Sequence, residues 1–225
     1  MYGSFLICSM RDLQLASMSE AVEVPGRRPA VQRRSQVTAS RVLDAALEIL
    51  AESGAQGLTI AAVSERSGVS NGAIYHRFAD RRQLLVEAHA RFLNRLSESS
   101  EYRSAPWYSA TDRQAFVSGF VAMFLAAVAD NRALLFVFVS LGRDDPDMWA
   151  DGVAWSRSLA RAFSRVLTER FGCSAAAADT AFRMVYSNAF LPVVFGNDEI
   201  TSVAMDSAVR AEHLATAVEA VLEWH

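Results

Sequence analysis

The sequence predicts an all-α chain, with an N-terminal three-helix helix-turn-helix head and a longer helical body behind it. Three observations predict this class. Apolar residues recur at helical spacing almost throughout, as in Leu43, Ala46, Leu47 and Leu50, which fall on one face at i, i+3, i+4 and i+7. Gly-Asn and Asp-Gly hairpin signals between alternating strands are absent. Two short apolar segments, each opened by a hydroxyl residue, are separated by the tight pair Gly68-Val69. With 52% hydrophobic residues in 225, the chain can bury a sizeable core.

The elements follow in order. Residues 1–35 mix Ser, Glu, Pro25, Gly26, Pro29 and arginines and read as a flexible arm ending in Arg33-Arg34. A first helix is expected over 38–53, stopped by Gly54 as a left-handed C-terminal residue. Thr59 caps a second helix over 60–67, its hydroxyl accepting from a free first-turn N–H. Ser70 caps a third over 71–78, held to the core by Ile74 and Phe78 one turn apart. Asp80 caps a fourth, which runs to about residue 97 with Leu84, Leu85, Ala88 and Phe92 inward. After a loop with Pro106, helices are expected over 112–131, 133–142, 146–171, 174–195 and 201–224. The domain boundaries this implies are 1–35 for the arm, 36–82 for the head and 83–225 for the body.

Charge and composition narrow the chemistry. From Gly26 to Arg95 there are 11 arginines against 6 acidic residues, a surplus of five positive charges. The remainder holds 11 arginines against 19 acidic residues and carries −8. A basic N-terminal segment on an acidic body is the footprint of a modular nucleic-acid binder. Lysine is absent, which excludes a P-loop lysine, a Schiff base and a lysine general base. Cys8 and Cys173 make neither a disulfide framework nor a zinc set and fit a reducing cytoplasm. The apolar run Phe5-Leu6-Ile7-Cys8 is too short for a signal peptide and lacks a basic lead, and Met10 and Met18 are alternative starts. Ala115–Ala129 falls short of the roughly 20 residues of a membrane span, so no membrane partner is expected. Asp144-Asp145-Pro146-Asp147 reads as a solvated turn before a proline-started helix, not a metal site.

Residues 58–85 carry the functional signal. Two short helices around a glycine turn form a helix-turn-helix, which presents the start of its second helix to the DNA major groove. With Ile74 and Phe78 inward, Ser70, Asn71, Ala73 and His76 face out. Gly72 costs roughly 1 kcal/mol inside a helix relative to alanine, a cost that close approach to a phosphate backbone would offset. Tyr75 and His76 have polar tips suited to phosphates and base edges.

This segment resembles the DNA-binding domain of the tetracycline-repressor family. The shared pattern is a glycine-closed first helix, Thr59-Ile60, Gly68-Val69-Ser70, then Gly72-x-x-Tyr75-His76-x-Phe78 and a basic residue before Leu84-Leu85. The resemblance implies that Thr59 touches phosphate, that Ser70, Asn71 and Ala73 face the groove, and that Tyr75 and His76 contact backbone or base. It implies that Arg81, where the family usually has lysine, supports phosphate, and that Arg33 and Arg34 lie along a groove. Three positions depart from the pattern. Ser64 and Ser67 stand where alanine is usual, each able to bond back to the i−4 carbonyl, and Ala73 stands where threonine is common.

In the body, aromatic residues are dense amid Ala, Ser and Gly, a mixture that builds a core and can leave a pocket between helices. Pro192 removes a backbone N–H and frees the carbonyl of Asn188. The family resemblance places an effector pocket here, and Phe120, Phe124, Trp155, Tyr186, Asn188 and Phe190 are its expected lining, with Asn188 alternatively at a subunit interface. Ala208, Ala211, Leu214, Ala215, Val218, Val221 and Leu222 share one side of the final helix. The resemblance further implies a homodimer through the last two helices, double-stranded operator DNA and a small-molecule effector as partners, and no cofactor. A helical carrier with a vestigial helix-turn-helix is the alternative. No Gly-x-Ser-x-Gly, His-Glu-x-x-His or glycine-rich phosphate loop points to an enzyme, and His76, His89, His213 and His225 pair with no nucleophile.

Overall fold

A computed structural model describes residues 29–98, 105–195 and 205–223; the side chains of residues 29–34 and of Glu98 are not described. The described residues are helical apart from their turns. In chain order they form α1 (Pro29–Gly57), α2 (Ile60–Ser67), α3 (Asn71–Arg77), α4 (Arg81–Glu98), a single 3-10 turn (Pro106–Ser109), α5 (Arg113–Asp130), α6 (Arg132–Gly142), α7 (Pro146–Phe171), α8 (Ala175–Phe195) and α9 (Ser207–Leu222). The chain divides into two compact units, Met1–Ala39 and Ser40–His225. Within the first, the described part is the beginning of α1.

Local chemistry sets most boundaries. α1 starts at Pro29, earlier than the expected residue 38, because proline suits a first helical position and Ala30 to Arg34 contain no helix breaker. The expected flexible arm therefore ends sooner than residue 35, and the rest of it lies outside the described residues. Gly54 adopts φ 65° and breaks α1 where the sequence places the stop. Thr59, Ser70 and Asp80 each accept from a first-turn N–H, at 3.1, 3.4 and 2.7 Å, so the three expected caps are present, and Ser174 caps α8 in the same way at 3.2 Å.

The head packs around side chains with almost no exposure: Leu47, Leu50, Leu58, Val63, Ile74, Phe78 and Leu84. Burying each of these is worth roughly 1.5–3 kcal/mol, which is what fixes the short helices α2 and α3 despite their length. The two serine departures lie in α2, Ser64 in its middle and Ser67 at its end. Ser67 is buried, and its hydroxyl accepts from Val69 N–H at 3.2 Å instead of bonding back along the helix. It thereby satisfies a turn N–H that alanine would leave alone.

In the body, α5 packs against α8, α9 and the 3-10 turn, and α8 also packs against α7 and α6. α5 is long and apolar enough to cross a membrane by length and composition. Its Phe116, Val117, Phe120, Val121, Phe124 and Val128 are instead buried against its neighbours, which is the behaviour of a core helix. Trp107 of the 3-10 turn lies so close to α5 that a Cβ on Gly119 would sit 2.1 Å from its Cγ, so glycine is required there. Arg170 of α7 ties the same turn down by donating to the carbonyls of Tyr108 and Ala110.

Head and body meet along α4, which packs on α7. His89 of α4 is only 4% exposed and lies tilted against Phe138 of α6 at 4.8 Å, and Phe92 stacks on the same ring at 5.4 Å. Trp155 Nε1 donates to Ser97 Oγ at 3.0 Å further along.

Candidate nucleic-acid interface and aromatic core

α3 presents one face and buries the other. Ile74 and Phe78 have no exposed surface, while Asn71, Gly72, Ala73, Tyr75 and His76 are all exposed. Tyr75 is 56% exposed, a large aromatic left in solvent on a seven-residue helix. Nothing lies within 4 Å of where a Cβ on Gly72 would be, so the glycine is not demanded by the protein's own packing. Thr59 and Ser70 are exposed N-caps whose hydroxyls each accept from one backbone N–H, leaving their own O–H as a donor.

The arginines behave differently from the sequence expectation. Arg81 is turned inward on the protein: its Nε donates to the carbonyl of Leu58 at 2.8 Å and Nη2 to that of Ala55. These are the carbonyls just beyond the Gly54 break, so Arg81 closes the end of α1 and braces α2 from the first turn of α4. A role at phosphate has to share the side chain with that brace. The side chains of Arg33 and Arg34 lie outside the described residues. Sequence reasoning missed Arg82, Nη2 of which pairs with Asp145 at 2.8 Å and Asp147 at 3.6 Å, joining α4 to the start of α7. Asp145 also caps α7, accepting from Met148 and Asp147, and these bonds together with Arg82 hold its carboxyl below the usual aspartate range. No local signal marks a pair so far apart in sequence. The aspartate cluster it uses was visible only as a turn.

The aromatic residues of the body form one connected array. Phe120 lies 4.3 Å from Phe163 and 5.8 Å from Phe124, and Phe124 reaches Phe182 at 6.4 Å and Tyr186 at 6.1 Å. Tyr186 stacks on Phe190 at 4.3 Å. One polar pair sits in it: Tyr186 OH and Ser156 Oγ are 3.0 Å apart, and burial pushes the Tyr186 phenol above its ordinary value. Phe120, Phe124, Tyr186 and Phe190 are thus packed in one array, and Trp155 stands on the same helix as Ser156. Asn188 is not with them. It is exposed, and its carbonyl accepts from Arg210 Nη2 at 2.8 Å. That is the acceptor Pro192 frees, met from α9. Among the described residues, no cluster of His, Cys, Asp and Glu has the makings of a metal site.

Residues 42–88, which span the end of α1 to the middle of α4, match the family model described as bacterial regulatory proteins, tetR family. The match covers the helix-turn-helix segment, 47 of the chain's 225 residues. Solved structures agree on the fold. A TetR-family transcriptional regulator from Mesorhizobium loti superposes with a TM-score of 0.66 at 17% identity, covering 84% of this chain and 96% of that one. A transcriptional regulator from Streptomyces coelicolor A3(2) gives 0.61 at 18% identity, covering 83% and 98%. FadR from Bacillus subtilis, solved in complex with stearoyl-CoA, gives 0.59 at 15% identity, covering 82% and 97%. No curated protein sequence matches the chain.

In the apolar strip noted on the final helix, Leu214, Ala215, Val218 and Leu222 are buried in the chain's own core, while Ala208 at its start is exposed. The surface left open by the last two helices is a different one, with Leu191, Val194 and Phe195 of α8 and Met205 and Val209 at the start of α9 exposed.

Proposed function

We propose that this regulator is a dimeric repressor that grips an inverted-repeat operator with two copies of α3 and releases it when a small apolar or aromatic effector occupies the body. The observation that carries the reading is the outward row Asn71, Gly72, Ala73, Tyr75 and His76 on a helix whose other face is anchored by Ile74 and Phe78. Such a row has no packing role, yet it has the polar and small residues that base edges and phosphates reward. Thr59 and Ser70 would add hydroxyl donors to phosphate at the entrance of each helix. Arg33 and Arg34 would follow the adjacent backbone.

The effector reading rests on the aromatic array with its one polar pair, Tyr186 and Ser156. Phe120, Phe124, Phe190 and Trp155 supply apolar area, and the phenol supplies direction to a bound molecule. FadR's stearoyl-CoA gives the chemical class a precedent on this fold. Because α4 starts beside the reading helix and packs on α7, an effector that favours one arrangement of the body shifts the head with it. The open apolar face at Leu191, Val194, Phe195, Met205 and Val209 suits a second copy, since burying it offsets its contact with water. Action on DNA places the protein in the cytoplasm.

Fluorescence anisotropy with DNA from upstream of the protein's own gene tests the reading. Tyr75→Ala and His76→Ala are expected to weaken binding by about tenfold or more, equivalent to about 1.4 kcal/mol or more, with an unchanged melting temperature. Tight binding of a small molecule with no specific DNA complex would support the carrier instead.

A further inference from the structure

The positive surplus of the N-terminal segment comes mainly from Arg27, Arg28, Arg33 and Arg34; from residue 40 to residue 98 seven arginines face seven acidic residues. Between Ser40 and Glu98 there are seven arginines, and every one is engaged within the protein. Arg41 donates to the carbonyl of Ser67, and Arg66 pairs with Glu48 and Glu52. Arg81 holds the carbonyls of Ala55 and Leu58, Arg82 pairs with Asp145 and Asp147, and Arg91 and Arg95 share Asp44. The seventh, Arg77, is the only arginine on α3 itself, and it pairs with Glu87 of α4.

That last pair is built differently from a chance surface contact. The Arg77 fork meets both carboxylate oxygens, Nη1 to Oε1 at 3.4 Å and Nη2 to Oε2 at 3.2 Å. Its guanidinium carbon stands 5.2 Å from the centre of the buried Phe78 ring, so the side chain lies back across Phe78 toward α4. Glu87 is itself positioned by Gln83 Nε2 at 3.1 Å, and Gln83 Oε1 accepts from Ala79 N–H at 2.7 Å in the turn joining the two helices. The turn thus sets the carboxylate that sets the arginine.

On the reading that α3 lies in a DNA groove, we propose that Glu87 is an affinity- and specificity-setting residue: it holds the Arg77 guanidinium on the protein and so withholds one phosphate contact from duplexes of arbitrary sequence. Phosphate contacts made by arginine are blind to sequence and supply most non-specific binding. A carboxylate that competes for the one arginine on the reading helix lowers binding everywhere and raises the share that Asn71, Ala73, Tyr75 and His76 decide. Arg77 is 47% and Glu87 27% exposed, so the pair is wet enough to be exchanged.

The test is a salt titration of binding to a short fluorescein-labelled duplex of arbitrary sequence, and in parallel to the upstream DNA of the gene. Wild type, Glu87→Gln, Arg77→Gln and the double variant are compared. Glu87→Gln is expected to bind the arbitrary duplex about three- to tenfold more tightly at low salt, with the log–log salt slope steeper by about 0.9, the value of one released counterion. Glu87→Asp, too short to reach the fork but still charged, is expected to steepen the slope likewise. Adding Arg77→Gln removes both gains. An unchanged slope in both Glu87 variants overturns the proposal while leaving DNA reading intact, as does a gain that survives in the double variant, because Glu87 would then act by charge repulsion alone. Failure of the wild type to bind either duplex overturns the DNA reading itself and the proposal with it.

Discussion

Arg82, in the first turn of α4, reaches across to Asp145, the cap of α7, at 2.8 Å. The bond joins the helix that follows the reading helix to the helix that carries Ser156 and Trp155. It therefore ties the first turn of α4, beside the helix proposed to read DNA, to the start of α7. Arg82→Gln is expected to raise amide hydrogen exchange in the first turns of both α4 and α7 while leaving α8 unchanged. Faster exchange at α7 alone would mean that Asp145 only caps its own helix.

The same junction predicts a pH response. Burial holds the His89 imidazole below its ordinary value, although Asp151 and Asp145 pull the other way. Its neighbours on α6 and α4, Phe138 and Phe92, offer a cation no partner that compensates for lost water. The unfolded chain, with an ordinary histidine near 6.5, takes up the proton first as pH falls, so stability declines below about pH 6.5. Asp145 is also lowered, but for a carboxyl that favours the charged form, so its contribution is lost only below about pH 4. The urea midpoint is expected to fall between pH 7.5 and about 5.5. His89→Leu should flatten that fall, and an unaltered pH profile in the variant would assign it elsewhere.

Gly119 and Trp107 predict a packing test. A methyl at 119 would overlap the indole, and overpacking of this kind costs about 1–3 kcal/mol. Gly119→Ala should lower the midpoint of denaturation accordingly. Trp107→Ala in the same chain should return part of the loss, giving a coupling between the two sites rather than simple addition.

The open face of the last two helices predicts the assembly. Leu191→Asp and Val209→Asp place charges in the apolar strip without touching the buried Val193, Leu214 or Val218. Each is expected to yield a folded monomer by light scattering, with binding to arbitrary DNA retained and binding to the upstream DNA lost. Dimers that persist in both variants would move the interface to another surface.

How much of this was legible in the sequence depended on whether the cause was local. Caps at Thr59, Ser70, Asp80 and Ser174, the break at Gly54 and the anchors Ile74 and Phe78 are set by residues within one turn, and all can be read from the chain. The freed carbonyl of Asn188 could be anticipated from Pro192, but not its partner Arg210. Burial pushes that guanidinium down from its ordinary value. Arg81 illustrates the limit most clearly. Family pattern assigned it to phosphate, yet two carbonyls brought near by folding claim its donors. The final helix shows the same thing for apolar residues, because a stripe found by period alone does not say whether it faces its own core or another copy.

Footprinting on DNA upstream of the gene tests the central claim most directly. The account predicts protection of an inverted repeat whose half-sites are presented on one face of the duplex, about 34–36 Å apart or a multiple of that. Asn71→Ala and Tyr75→Ala should erase the footprint while the circular dichroism spectrum stays that of the wild type. Asymmetric protection, or a symmetric footprint indifferent to both substitutions, would show that the helix from Asn71 to Arg77 is not what meets the DNA.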